Sequence, residues 1–249
     1  MHLKHKLRTY LWRLGYDIMP YTPQAHPIAR RKQLLDSNNI DLILDVGANA
    51  GQYAQELRFD LGYKNKIISF EPLKTAFELL KANSAKDASW DVYNFALGDT
   101  VENCEINVSG NSYSSSLLEM MPAHIKSAPE SKYVDREKID IKTLDSIFST
   151  IIRPSNRVYM KIDTQGFESR VIAGAKKSLS SINMIQMEMS LVPLYKGELL
   201  FNDLCRLMTG KGYSLVAVEP VFSDPETGQL LQVDGIFQRL PDDLKPSGK

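Results

Sequence analysis

The chain has 249 residues, 43% of them hydrophobic, and 30 Lys and Arg balance 30 Asp and Glu, so its formal net charge is zero. That balance disfavours a nucleic-acid partner, which would require an excess of cations to meet phosphate. The size suits one enzyme-sized α/β unit with additions, and no apolar run approaches the ~18 to 20 residues of a membrane-spanning helix. Cys104 and Cys205 form no C-x-x-C pair, so neither a disulfide framework nor a zinc site is indicated. A reducing cytoplasm is the simplest setting, and the first residues lack the unbroken apolar core of a signal peptide.

Residues 1–36 have a character of their own and are expected to form an N-terminal helical extension. Leu3, Leu7, Tyr10, Leu11 and Leu14 recur at helical spacing while Lys4, Lys6, Arg8 and Arg13 take other faces, which predicts a short basic amphipathic helix. Two readings are open for it: weak peripheral contact with a membrane surface, or packing on the following domain with a solvated basic face. Pro20, Pro23 and Pro27 interrupt the pattern, and Ile28 to Ser37 resumes as a helix.

The stretch Leu42-Ile43-Leu44-Asp45-Val46-Gly47-Ala48-Asn49-Ala50-Gly51 reads as a strand, a tight turn and a helix start, and Glu71 follows twenty residues after Gly51. Such a turn lets backbone approach an adenosine cofactor, and a carboxylate ending the second strand can accept both ribose hydroxyl protons. A dinucleotide fingerprint G-x-G-x-x-G would place glycine at 47, 49 and 52, where this chain has Gly47, Asn49 and Gln52. Side chains at the last two positions obstruct a pyrophosphate, and Asp45 would repel it. S-adenosylmethionine carries a sulfonium and an ammonium and no phosphate, so the acidic, glycine-poor turn suits it better than NAD.

From residue 41 the chain alternates strand and helix in the manner of a mostly parallel sheet. Strands are predicted at 42–46, 67–70, 91–95, 158–162, 183–189, 213–219 and 231–238, with helices near 51–60, 73–83, 167–178 and 199–211. Asp224-Pro225-Glu226-Thr227-Gly228 is too short for a parallel crossover, so the last two of these seven strands should form an antiparallel hairpin. One domain is expected over 37–240, followed by a polar tail at 241–249. Between the third and fourth strands lies an insert, 99–157, whose ends Glu102 to Val108 and Lys138 to Ile141 alternate like strands. Its middle, Ser109 to Arg136, is polar, and it is read either as a substrate lid or as a disordered excursion.

Several of these segments, taken in order, resemble the FkbM-type S-adenosylmethionine-dependent methyltransferases. They are Leu44 to Gly51, Phe70-Glu71-Pro72, Ala96-Leu97-Gly98-Asp99, Thr143-Leu144-Asp145, Lys161 to Glu168, Tyr195-Lys196-Gly197-Glu198 and Val233-Asp234-Gly235-Ile236-Phe237. The resemblance spans roughly 40 to 240. It implies a class I methyltransferase, Rossmann-like sheet, usually acting on hydroxyl groups of sugars, glycolipids or polyketide-type products. Where family members often carry Val-Glu, this chain has Thr164-Gln165.

Methyl transfer to an alcohol requires the acceptor oxygen in line with the sulfonium methyl and removal of a proton from a poor acid. Asp163 ends one strand and Glu188 lies near the end of its neighbour, so both should reach the ligand crevice of an open α/β sheet. They could share a divalent cation such as Mg with the acceptor; otherwise Asp163 holds the cofactor ammonium or a base and Glu188 closes an ion pair. Lys161 shares a strand face with Asp163 and could pair with it or contact an acceptor hydroxyl. His124, in the insert, is either a general base carried over the sulfonium or an exposed loop histidine without a chemical task. On the cofactor side, Asp45 is expected to orient the methionine part through its ammonium or a backbone link. Gly47, Asn49 and Gly51 shape the turn, Gln52 lies near the carboxylate, Glu71 takes the ribose diol, and Ala96 and Leu97 contact adenine. Tyr53 is either core or cofactor wall.

The leading expectation is therefore an O-methyltransferase with a small-molecule or glycan acceptor. An NAD-dependent oxidoreductase with a degenerate fingerprint and a noncatalytic Rossmann-like binding protein are the alternatives. The first alternative lacks a Tyr-x-x-x-Lys at Tyr159, because position 163 is Asp; the second would be expected to have lost Asp45 or Glu71.

Overall fold

A computed structural model describes residues 2–239 and 241, with the side chains of residues 2–4 excluded, so the side chains of Leu3 and Lys4 and the proposed polar tail beyond residue 241 lie outside the described residues. The chain divides into two compact units that part between Asn38 and Asn39. The first holds helices α1 (His2–Arg13) and α2 (Pro27–Ser37). Pro27 opens α2, where its fixed φ suits the first turn and its missing N–H costs nothing.

The second unit is built on a seven-stranded sheet. Its strands are β1 (Leu42–Val46), β2 (Lys66–Phe70), β3 (Trp90–Tyr93), β7 (Val158–Ile162), β8 (Ile182–Ser190), β9 (Tyr213–Ser223) and β10 (Leu230–Arg239). The order is β3-β2-β1-β7-β8-β10-β9; the first five run parallel, and β10 pairs antiparallel with both β8 and β9. Every residue of β1 and β7 is buried, so both read as apolar runs, broken only by Asp45 and Lys161, rather than as alternating ones. Helices α3 (Gln52–Phe59), α4 (Lys74–Ser84), α7 (Glu168–Ala173) and α8 (Phe201–Gly210) bury Leu57, Leu80, Val171 and Met208 respectively. Leu44, Val46, Phe70, Ile162, Met187 and Phe237 belong to one large core cluster across the sheet.

The insert is folded and is not a disordered excursion. Strands β4 (Ala96–Leu97), β5 (Glu102–Ser109) and β6 (Tyr133–Lys142) form a second, three-stranded sheet in the order β4-β6-β5, and α5 (Pro122–Ser127) lies between the two long strands. Ile106, Ile139 and Ile141 bury one face of that sheet against Leu73 and Ala76. Its strand ends match the alternation of the sequence, but the polar middle hides α5 and a short 3-10 turn at Pro129–Ser131. A further helix, α6 (Leu144–Ile151), was missed at the sequence level, although Thr143 carries its signature. The Thr143 side-chain oxygen accepts from Ser146 N at 3.1 Å, an N-cap.

Candidate active site

The C-terminal ends of β1, β2 and β7 are extended past the strands by further backbone bonds. Gly47 N and Ala48 N both donate to Phe70 O at 3.0 Å, and Asp163 N donates to Val46 O at 3.0 Å. These loops frame a cavity of about 410 Å³ at the edge where open α/β sheets bind ligands. Of the residues singled out from the sequence, Gly47, Asn49, Gln52, Glu71, Ala96, Leu97, His124, Asp163 and Glu188 line it.

Gly51 and Asp45 do not line the cavity. Gly51 caps α3 at φ 89, and a Cβ there would meet the Trp90 ring at 2.7 Å. Asp45 is fully buried beneath the turn, where Ser69 Oγ donates to its Oδ2 at 3.0 Å and Oδ1 has no hydrogen-bond partner. Burial raises its pKa, against the Lys161 cation and the Ser69 bond, which lower it. Direct contact between this carboxylate and a cofactor ammonium is not available in this arrangement. Gly47 also has a reason other than ligand approach. Its φ is 80, and a Cβ would lie 1.8 Å from the Asp163 carbonyl oxygen, so only glycine lets the β1 and β7 loops cross.

Glu71 is 5% exposed and is not an uncompensated burial. Asn49 N donates to its Oε2 at 2.8 Å and Leu73 N to its Oε1 at 2.9 Å. Asn49 reaches that geometry in the left-handed region, at φ 47, which asparagine tolerates better than most residues. Burial pushes the carboxyl up to about 7, the two backbone bonds opposing it and Asp45 and Glu137 adding to it. Each carboxylate oxygen retains acceptor capacity beyond its one backbone bond, so the group fits a vicinal diol. Phe70, Pro72 and Leu73 supply apolar wall beside it. Tyr53 is part of the wall as well; its hydroxyl donates to Gln186 Oε1 at 3.1 Å, and Lys161 Nζ lies 5.2 Å from its ring centroid.

Asp163 and Glu188 do converge, as the strand geometry predicts, but an amide stands between them. Gln165 Nε2 donates to Asp163 Oδ1 and to Glu188 Oε2, each at 2.8 Å. The Tyr195 hydroxyl donates to Gln165 Oε1, and the amide nitrogen faces the two carboxylates. Lys161 Nζ pairs with Asp163 Oδ2 at 2.8 Å, and Gln232 Nε2 donates to Glu188 Oε2 at 3.0 Å. Burial works to lower the Lys161 pKa, but Asp163, Asp45 and Asp234 outweigh it and hold the ammonium charged. Burial first, then the charges of Asp163 and Asp234, raises Glu188 well above the usual carboxylate range. One carboxylate is thus paired with a cation, and burial disfavours the charged form of the other. Hard divalent cations want several free anionic oxygens, so this donor set does not fit the first of the two readings, a cation shared by Asp163 and Glu188. Among the described residues, no group of three His, Cys, Asp or Glu is arranged to hold a metal.

His124 is not an exposed loop residue. It sits on α5, 3% exposed, edge-on to Tyr195 with centroids 5.2 Å apart and 5.5 Å from Phe222. Its Nδ1 is buried without a hydrogen-bond partner, and burial lowers its pKa despite Glu130, so the ring is held neutral. Residues Asn111, Ser112, Ser114 and Leu117 of the insert complete the cavity wall, and Asn49 Nδ2 donates to Ser112 O at 2.8 Å across it. Gln165, Phe222 and Gln232 are cavity residues that the sequence analysis did not assign. Gln165 stands inside the Lys161 to Glu168 segment, which carries a signal; Phe222 and Gln232 lie on the hairpin and reach the cavity only through its pairing.

Other motif residues hold loops rather than ligands. Glu168 accepts from Thr164 N at 3.0 Å and Gly166 N at 3.2 Å; Glu198 accepts from Leu194 N at 2.6 Å and Tyr195 N at 2.9 Å. Asp145 accepts from the backbone of Lys177 at 3.0 Å and Ser178 at 2.8 Å.

A parallel half-sheet, an antiparallel C-terminal hairpin and a ligand cleft at the strand ends define a class I methyltransferase architecture. Within that class the chain belongs to the FkbM methyltransferases, S-adenosylmethionine-dependent enzymes: the family described as "Methyltransferase FkbM domain" matches residues 45–215. Among solved structures, the FkbM methyltransferase of Methylobacillus flagellatus KT is similar at 13% identity and TM-score 0.49, covering 79% of this chain and 44% of that one. This chain therefore spans under half the length of that protein. M. capricolum TrmK, solved with S-adenosyl-homocysteine, is similar at 9% identity and TM-score 0.46, covering 86% and 70% of the two chains. An rRNA methylase from Streptococcus thermophilus is similar at 6% identity and TM-score 0.48, covering 87% and 98%. Among curated proteins, none matches the sequence.

Proposed function

We propose that the protein transfers the methyl group of S-adenosylmethionine to a hydroxyl of a sugar, glycan or polyketide-type small molecule, and that it works in a reducing cytoplasm. The observation that carries the cofactor half is Glu71, buried at the end of β2 with both oxygens oriented by backbone N–H groups inside one cavity. A ribose diol is the ligand this geometry suits. S-adenosylmethionine supplies an already activated methyl group, so the protein's task is alignment and proton removal.

Asn49 and Gln52 hold the turn under the methionine part, Ala96 and Leu97 wall the adenine, and the insert residues Ser112 to Leu117 close over the acceptor. His124, neutral and on the cavity wall, takes the acceptor proton. Asp163, ion-paired with Lys161, and Glu188, whose pKa burial raises, offer polar contacts to a polyhydroxylated substrate. No step requires a divalent cation. Both cysteines are free, in keeping with a reducing compartment.

The test is calorimetry with S-adenosylmethionine and NAD side by side, followed by turnover on monosaccharide, lipid-linked glycan and polyketide acceptors with and without EDTA. Tight NAD binding without response to S-adenosylmethionine would overturn the reading. Activity abolished by chelator would restore the cation.

A further inference from the structure

The largest concentration of exposed apolar side chains lies far in sequence from the cavity, in residues 7–21. Of the eighteen exposed large hydrophobics in the described residues, eight fall there, including Leu7 at 55%, Tyr10 at 61%, Leu14 at 55% and Tyr16 at 71%. Monomeric soluble proteins rarely leave such a patch open without a use for it.

The arrangement on α1 is specific. A helix turns about 100° per residue, which puts Leu7 and Tyr10 on one stripe, and Leu14, in the turn directly after α1, continues it. Lys6 and Arg13 then fall along one flank of the stripe and Arg8 along the other. Past the helix, Tyr16, Ile18 and Tyr21 continue the exposed apolar run. Residues 1–21 carry four cations, Lys4, Lys6, Arg8 and Arg13, against one carboxylate, Asp17, although the whole chain is neutral. Asp17 is spent on Arg8, paired at 2.7 Å, and the Arg8 guanidinium lies 5.2 Å from the Trp12 ring centroid.

An apolar stripe bordered on both sides by cations and containing a Tyr is the pattern of a helix lying in a lipid–water interface. Apolar side chains enter the acyl boundary while long cationic side chains bend back to headgroups. α1 is too short and too charged to cross the bilayer: among the described residues no helix is long and apolar enough to do so. The excess of cations selects the lipid, since each Lys or Arg near an anionic surface adds attraction that a neutral bilayer does not offer. We propose that residues 5–21 dock the protein onto an anionic lipid surface, with α1 in the plane of the membrane.

The experiment is co-sedimentation of the full chain with vesicles of phosphatidylcholine alone and of phosphatidylcholine doped with phosphatidylglycerol. Partition onto the doped vesicles, weakened by salt, is expected. Leu7→Ser/Tyr10→Ser/Leu14→Ser should remove it. Lys6→Glu/Arg13→Glu, which leaves the stripe intact, should weaken it on the order of tenfold or more. Cofactor binding by both variants, followed calorimetrically, should match the parent and shows that the enzyme unit is folded. The proposal fails if the parent ignores both vesicles, or if it binds both equally and the charge variant changes nothing. It also fails if the serine variant binds like the parent while the charge variant does not, which is bare polyanion attraction. A concentration-dependent dimer dissolved by the serine substitutions, without vesicle binding, would assign the stripe to a second copy of the chain instead.

Discussion

The Gln165 side-chain nitrogen lies 2.8 Å from Glu188 Oε2, and with the same distance to Asp163 Oδ1 it occupies the gap between two carboxylates. Gln165 adopts φ 54 to place it there, and Ser116 Oγ donates to its backbone carbonyl at 2.6 Å. Glutamine at this position therefore does the joining that a cation would otherwise do.

Replacing that amide by an acid should be costly. Gln165→Glu sets a third carboxyl between Asp163 and Glu188, and stability at pH 8 is expected to fall by about 2 to 4 kcal/mol, with partial recovery toward pH 5 as the acids take up protons. Urea denaturation at the two pH values measures this. Gln165→Glu matching the parent at both would show that the bridge contributes nothing.

Glu71 governs the cofactor. Glu71→Gln is expected to weaken S-adenosylmethionine binding by ~10- to 100-fold, the range for losing charged hydrogen bonds to a diol. Since burial holds the parent carboxyl near about 7, parent affinity should rise as pH increases through that value, while the variant's affinity stays flat. Calorimetry at pH 6 and pH 8 reads both effects.

His124 is assigned to the transfer step and not to cofactor binding. His124→Ala should leave S-adenosylmethionine affinity unchanged and slow turnover by ~10²- to 10⁴-fold. Burial lowers the imidazole pKa, so the acidic limb of the parent rate profile should lie below the usual histidine range and vanish in the variant. Equal losses of binding and turnover would remove the assignment.

Glu168 should make its mark on the pH dependence of folding. Burial raises its pKa from 4.5 to about 7, so between those values the native chain holds a proton that the unfolded chain has released. By linkage, stability contributed at this site falls as pH rises across that window and is constant above it. Glu168→Gln, whose amide oxygen can still accept from Thr164 N and Gly166 N, is expected to lessen the slope. Denaturation midpoints at several pH values between 4.5 and 7 supply the comparison.

Gly47 and Gly62 separate backbone strain from collision. Both have positive φ, 80 and 69, but a Cβ on Gly62 meets nothing within 4 Å while one on Gly47 would strike the Asp163 carbonyl. Gly62→Ala should cost about 1 to 2 kcal/mol, and Gly47→Ala distinctly more, or should fail to fold. Thermal denaturation of the two variants, side by side, reports the difference.

What the sequence by itself determined is whatever follows from local spacing. The apolar run of β1, the turn after it and Glu71 at the end of β2 are consecutive pieces of chain with short-range geometry, so their places could be read directly. The hairpin of β9 and β10 followed from a connection too short to cross over. The strand-end rule likewise put Asp163 and Glu188 at one crevice. Only the tertiary structure decided what those residues do to one another. Asp45 sits below the cavity because Ser69, on the neighbouring strand, takes its carboxylate. Gly47 is needed because a carbonyl more than a hundred residues away lies under it. The polar insert folds because Leu73 and Ala76 offer an apolar surface for its sheet. Each of these depends on contacts between segments distant in sequence, and pairing distances of that kind leave no periodicity for the sequence to display.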